Sequence, residues 1–218
     1  TAVKYGVNVM IFDWYWYGNK PYLNGALERG FMQAKNVNQI KFALMWANHD
    51  WYNIHPAGLG RDQRIVFPGD VNKDTWNDMT DYIIENYFQH PSYWLIDGKP
   101  VFQIYELFKL VAGLGGVDHC RIALENFKAK AKAAGFKDIH LNAVIWGVQI
   151  LPGEKTCSNP AEMLSVLEFD SVTSYVWVHH IGLKEFPMTD YTEVMKRMVA
   201  MWPQLAQKYQ LPYFPNVT

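Results

Sequence analysis

Cysteine is nearly missing from this 218-residue chain. Cys120 and Cys157 stand alone, without metal-ligand spacing, so they build neither a disulfide framework nor a zinc site, and they fix no compartment. Both read as packed thiols. Charge of one sign is missing as well: 20 Lys and Arg face 21 Asp and Glu, for a formal net charge of -1 and a pI near 6.6. Nucleic acid and anionic membrane surfaces need a basic face, so neither is an expected partner. No apolar run reaches the roughly 20 residues of a membrane-spanning helix, and the amino terminus lacks a charged-then-apolar secretion signal. The chain opens in what reads as the end of a helix at Tyr5-Gly6, which would put any targeting segment upstream of Thr1. A phosphate loop is lacking too. The only glycine cluster, Gly113-Leu114-Gly115-Gly116, precedes a helix without the strand or spacing of a nucleotide fingerprint and reads as a turn.

What the chain does have is aromatic residues, 9 Trp, 13 Tyr and 12 Phe, in a composition that is 50% hydrophobic and 19% charged. That is enough apolar material for one sizeable α/β domain over residues 1–218. Val7 to Phe12 is apolar at nearly every position and predicts a strand buried on both faces; Asp13-Trp14-Tyr15-Trp16-Tyr17 then changes its character abruptly. Leu23 to Asn36 has helical periodicity. Ile40 to Trp46 is a second strand, followed by a breaker-rich loop over Asn53 to Asn72. Asp74 is the expected N-cap of a helix through Tyr87, and turns follow at His90-Pro91 and Asp97-Gly98. Val101 to Tyr105 is a third strand, closed by Glu106. A helix from about Cys120 stops at Gly135, with Lys128, Lys130 and Lys132 on a solvated face near its negative end. Strands are expected at His140 to Ile145, Asp170 to Ser174 and Pro212 to Val217, with a helix over Tyr191 to Tyr209 before the last. Six strands alternating with helices have the rhythm of successive βα units in a barrel.

Ligands of such folds sit at the carboxyl ends of the strands. There the sequence repeats one arrangement, an aromatic ring beside a polar group: Asp13-Trp14-Tyr15, Trp46-Ala47-Asn48-His49, Tyr105-Glu106, Trp146, and Tyr175-Val176-Trp177. Flat apolar faces with hydrogen-bonding edges suit a sugar, whose C–H face stacks on indole or phenol and whose hydroxyls need amides, carboxylates and imidazoles. Any one of these rings could equally be core, since Trp and Tyr are largely buried on average. Asp13 and Glu106 end apolar strands, where an unpaired carboxylate is costly, and are the candidate catalytic groups. Their strands would be separated by one neighbour, about 10 Å. That leaves the carboxyls at roughly the 6.5–9.5 Å of an inverting acid and base. His49, Asp50 and His55 make no recognisable ligand set, so no metal is expected. His179 could reach the rim.

Several runs resemble the glycoside hydrolase family 99-like proteins, among them endo-α-mannosidases and a bacterial branch labelled as polysaccharide-biosynthesis glycosyltransferases. They are Gly6 to Trp16, Phe42-Ala43-Leu44-Met45-Trp46-Ala47-Asn48, and Ala134-Gly135-Phe136 before a strand. The most specific is Tyr93-Trp94-Leu95-Ile96-Asp97-Gly98-Lys99-Pro100-Val101. The resemblance covers most of the chain and is nearer the bacterial branch. It implies a (β/α)8 TIM-type barrel, an α-linked oligo- or polysaccharide substrate and no cofactor. It also implies stacking by Trp14, Tyr15 and Trp46, and hydrogen bonding by Asp13, Asn48, His49 and Glu106.

The family's catalytic glutamates lie in an Asn-Glu-Trp-x-x-Glu-like motif at the last strand, and residues 1–218 hold no match to it. The chain therefore reads as strands two to seven of eight, with missing segments or a second chain expected to complete the barrel. Hydrolysis of an α-linked glycan is the leading expectation, either through those glutamates with help from the sugar's 2-hydroxyl or through Asp13 and Glu106. A glycosyltransferase and a non-catalytic glycan-binding barrel are the alternatives. A hydrolase would favour an extracytoplasmic or cell-surface site, a transferase the cytoplasm.

Overall fold

The apolar runs of the sequence become strands of a single curved sheet. The computed structural model describes residues 1–53, 64–145, 160–185 and 188–217. In chain order the strands are β1 (Val9–Tyr17), β2 (Lys20–Tyr22), β3 (Lys41–Trp46), β4 (Trp51–Tyr52), β5 (Ile65–Phe67), β6 (Leu95–Ile96), β7 (Lys99–Ile104), β8 (His140–Ile145), β9 (Ser171–Ser174) and β10 (Tyr213–Phe214). The α-helices are α1 (Lys73–Ile83), α2 (Leu107–Gly113), α3 (Val117–Ala133), α4 (Pro160–Val166) and α5 (Tyr191–Tyr209). The order across the main sheet is β10-β9-β8-β7-β3-β1, every pair parallel. β2 folds back antiparallel on the end of β1, and β4 pairs with β5 as a separate ribbon.

The register puts Asp13, Met45, Gln103, Asn142 and Ser171 in one row across five strands. Because side chains alternate along a strand, these five share a face. The next residues on that face, Tyr15, Ala47, Tyr105 and Val144, form a small apolar cluster of their own. The opposite face carries Trp14, Phe42, Leu44, Trp46, Phe102, Ile104 and Leu141, packed with Trp76, Met79 and Ile83 of α1 and Leu124 and Phe127 of α3. Helices thus cover the outside and leave the inside to a second set of residues. In a flat sheet β1 and β9 would lie about 19 Å apart, four strand spacings of about 4.8 Å. Yet Tyr175, just past β9, donates its hydroxyl to Asp13 of β1 at 3.3 Å. The two side chains can meet only because the sheet is rolled, as the wall of a barrel is.

Some boundaries differ from the sequence expectation. The start of β1 is exposed, with Met10 at 36% and Ile11 at 41%, where burial on both faces is expected. The cause is topological: β3 covers one edge of β1, while among the described residues β2 pairs with the other only over Tyr15 to Tyr17. Leu23 to Asn36 forms no α-helix but a wide-turn segment, Ala26–Phe31, and a short 3-10 turn, Val37–Gln39, follows it. The N-cap of α1 is Asn72, not Asp74. Asn72 and Thr75 satisfy each other's backbone N–H groups, and Asp74 sits in the first turn, where the helix dipole favours a negative charge. α5 spans Tyr191–Tyr209 as expected, capped by Asp190, and β10 is only Tyr213–Phe214. Cys120 is a buried free thiol, pushed up to about 12 by burial. Cys157 and His55 lie outside the described residues. Lys128, Lys130 and Lys132 form ion pairs with Glu168, Asp81 and Asp138.

Candidate functional site

The inner face at the carboxyl ends of the strands gathers residues from four segments. Asp13 and Tyr15 come from β1, His49 from the loop after β3, Tyr105 from the end of β7 and Tyr175 from the end of β9. Their contacts form a chain. The His49 ring meets Tyr15 edge-on at 5.9 Å and Tyr105 at 5.7 Å, and Tyr105 meets Tyr175 at 5.1 Å. Tyr175 in turn stacks on the buried His179 at 6.1 Å. Burial, then His180, pushes His179 down to about 4, so at neutral pH it presents a neutral face to the phenol. The His49 ring is steered by a contact from Nδ1 to the Asp50 carbonyl, and its own carbonyl accepts the Tyr17 hydroxyl.

Asp13 is the one carboxylate, among the described residues, that contacts this set of aromatics. Burial raises its carboxyl above the ordinary 3.8, with the Tyr175 hydroxyl and the His49 imidazole pulling it back. Burial and Asp13 together push the Tyr175 phenol up to about 12, so it stays protonated and donates. A partly desolvated acid among phenols and an imidazole can hold a hydroxyl or exchange a proton.

Glu106 lies elsewhere. It is 2% exposed, sits at the N-cap of α2, and lines a hollow of about 340 Å³ with Asp50, Tyr52, Asp70 and Lys109. Asp13 is not in the lining of that hollow. The expected acid–base pair is therefore split between two settings, although β1 and β7 are indeed separated by one strand. Asp50 is held by the Lys109 ammonium at 2.7 Å, the Gly69 N–H and the Tyr52 hydroxyl. Burial pushes its carboxyl up, but these partners together outweigh it and hold the group below 3.8.

Four residues expected at the site serve the scaffold instead. Trp14 and Trp46 are each 1% exposed on the helix side, Trp14 donating to the Tyr87 hydroxyl and Trp46 packing on Trp76. Trp177, 3% exposed, donates to the Asn216 carbonyl and stacks on Tyr191. The Asn48 side chain accepts from the Glu106 N–H at 2.7 Å and donates to the Glu106 carbonyl at 2.9 Å, continuing the β3–β7 ladder with its own amide. Both its polar atoms are used, at 1% exposure. Trp146 falls outside the described residues. Gln103, Asn142 and Ser171 share the inner face with Asp13, and the sequence reading passes over them. Only the register discloses them, because each reads as an ordinary strand residue.

A parallel sheet rolled under a helical layer, with rings and polar groups at its carboxyl ends, is the fold of part of a (β/α)8 barrel, the class that includes many carbohydrate-active proteins. The chain belongs to the family described as Glycosyltransferase WbsX, whose model it matches over residues 1–214. It is similar to the GH99 endo-alpha-mannosidase from Bacteroides thetaiotaomicron at 15% identity and TM-score 0.51, covering 99% of this chain and 50% of that one. The same enzyme in complex with BIS-TRIS-propane matches at 14% identity and TM-score 0.49, covering 99% and 53%. The chain thus spans about half the length of the solved structures it matches. No curated protein matches it. At this identity the likeness is one of fold, and the family is a carbohydrate-active one.

Proposed function

We propose that the chain forms the sugar-binding wall of a glycoside hydrolase that cleaves an α-linked glycan of mannan or surface-polysaccharide type. The observation that carries this is the contact of Tyr175 with Asp13 across the rolled sheet, which draws Tyr15, His49 and Tyr105 into one cluster. In this reading Tyr15 and Tyr175 present ring faces and phenol hydroxyls to a sugar, the buried Tyr105 supports them from behind, and Asp13 and His49 bind its hydroxyls. The acid and base of the reaction are glutamates of the type the family resemblance implies, and Glu106 acts through the backbone clamp it shares with Asn48.

The test is turnover of α-linked glycans by the full-length protein, with reducing ends counted. Asp13→Asn and Tyr175→Phe should raise KM more than they lower kcat, and Glu106→Gln should keep most of kcat. Loss of all turnover in Glu106→Gln with glycan binding intact would instead make the carboxylates of this chain the acid and base. A second reading, a glycosyltransferase, draws on the family description. Transfer from a sugar nucleotide to an acceptor glycan, with no hydrolysis of any α-linked glycan, would select it.

A further inference from the structure

Two short hairpins flank the inner cluster, and the mechanism uses neither. The first joins β1 to β2 through Gly18 and Asn19, both at positive φ, the geometry of a tight two-residue turn. It sets Tyr22 opposite Tyr15 in register. The second is the β4–β5 ribbon, which sets Trp51 opposite Phe67. Tyr22 meets Trp51 at 5.7 Å and Phe67 at 5.4 Å, and Trp51 reaches Tyr15 at 5.6 Å and stacks on His49 at 6.2 Å. Ring contact is therefore unbroken from Phe67 on the outer ribbon, through Tyr22, Trp51, His49 and Tyr105, to Tyr175 on the far side.

These outer rings are not core. Phe67 is 36% exposed, its neighbours Ile65 and Val66 are 48% and 45% exposed, and Tyr22 and Trp51 are half-buried. Each packs one side against its neighbours and keeps part of its surface open. A contiguous exposed patch of rings of this kind marks a binding site. Its continuity with the inner cluster says of what.

We propose that Tyr22, Trp51 and Phe67 form an outer platform that binds additional sugar units of the same glycan, so that the site recognises a chain rather than a terminal sugar. The proposal rests on the sugar-binding reading of the inner cluster and adds its direction: the glycan runs from Tyr175 over Tyr15 toward the β4–β5 ribbon. Tyrosine and tryptophan supply both the flat face for the sugar C–H surface and a polar edge for its hydroxyls.

The test is calorimetric affinity of the full-length protein for α-linked manno-, gluco- and galactooligosaccharides of two to six units. Affinity should rise with length in the wild type. In Tyr22→Ala and Phe67→Ala the gain for the longer members should fall by about tenfold, with the shortest binders unchanged. Tyr22→Phe, which keeps a ring, should retain most of the gain and serves as the folding control. Equal losses for short and long chains, affinity independent of length, or Ala variants that bind like wild type would each overturn the platform and leave the inner site standing. A wild-type protein that binds none of the series would sink both readings.

Discussion

The surroundings of Asp13 and Asp50 push these two carboxyls in opposite directions. Asp13 has a folded pKa above 3.8, so the folded state prefers its protonated form. Its favourable contribution is complete below 3.8 and is lost as pH rises through the folded value. The charged group thus weighs against folding at pH 7. Asp13→Asn should therefore melt above wild type at pH 7, with the gap closing below about pH 4, as followed by scanning calorimetry. This is the trade expected where a binding residue is kept at some cost to stability. Asp50 has a folded value below 3.8, so its stabilisation is complete above that value and disappears as pH falls through the lower one. Lys109→Met leaves the Asp50 carboxylate, 8% exposed, with Gly69 and Tyr52 as its partners among the described residues. The cost should be about 3 kcal/mol, the low end for a broken buried pair, read as a shifted urea midpoint at pH 7 that narrows in acid.

At the scale of elements, the site depends on how the loop after β3 is pinned. Asn48 ties it to the start of α2 by two hydrogen bonds to Glu106, and Gly69 lies against it from the other side. A Cβ on Gly69 would stand 2.2 Å from the His49 carbonyl oxygen and 2.7 Å from that of Asn48, both backbone atoms. Gly69→Ala should cost about 3 kcal/mol, the upper range for overpacking, and should weaken glycan binding because it moves His49. Asn48→Ala removes the acceptor of the buried Glu106 N–H and one of the two donors to its carbonyl, which keeps the Leu110 N–H. It should cost about 3 kcal/mol in chemical denaturation, with glycan affinity falling alongside. Rescue by Asn48→Asp would be incomplete, since a carboxylate accepts from the N–H but cannot donate to the carbonyl.

At the scale of the whole molecule, six parallel strands leave the first half of β1 without a partner on one edge among the described residues. Met10, Ile11 and Val7, at 36%, 41% and 38% exposure, line that stretch. An open, apolar edge is a template for pairing with another chain. Residues 1–218 alone should self-associate with rising concentration, and Ile11→Lys should shift the sedimentation profile toward monomer. Unchanged association in that variant would show that β1 is not the edge involved.

The sequence by itself determined the βα rhythm, four of the six parallel strands to within about two residues, the span of α5 and the glycine stop of α3. All are local matters of periodicity and capping. It also determined that rings and acids collect at the strand ends. Only the tertiary structure decided which of them face the same space. Trp14, Tyr15, Trp16 and Tyr17 are aromatic at every position, so a period of two has no contrast to read, and the register with β3 alone turns Tyr15 inward and Trp14 outward. The same cause hid Gln103, Asn142 and Ser171, and it moved Trp46 and Asn48 from binding to support. Strand parity is a two-valued choice made when helices dock on one face, and no single strand contains the information to make it.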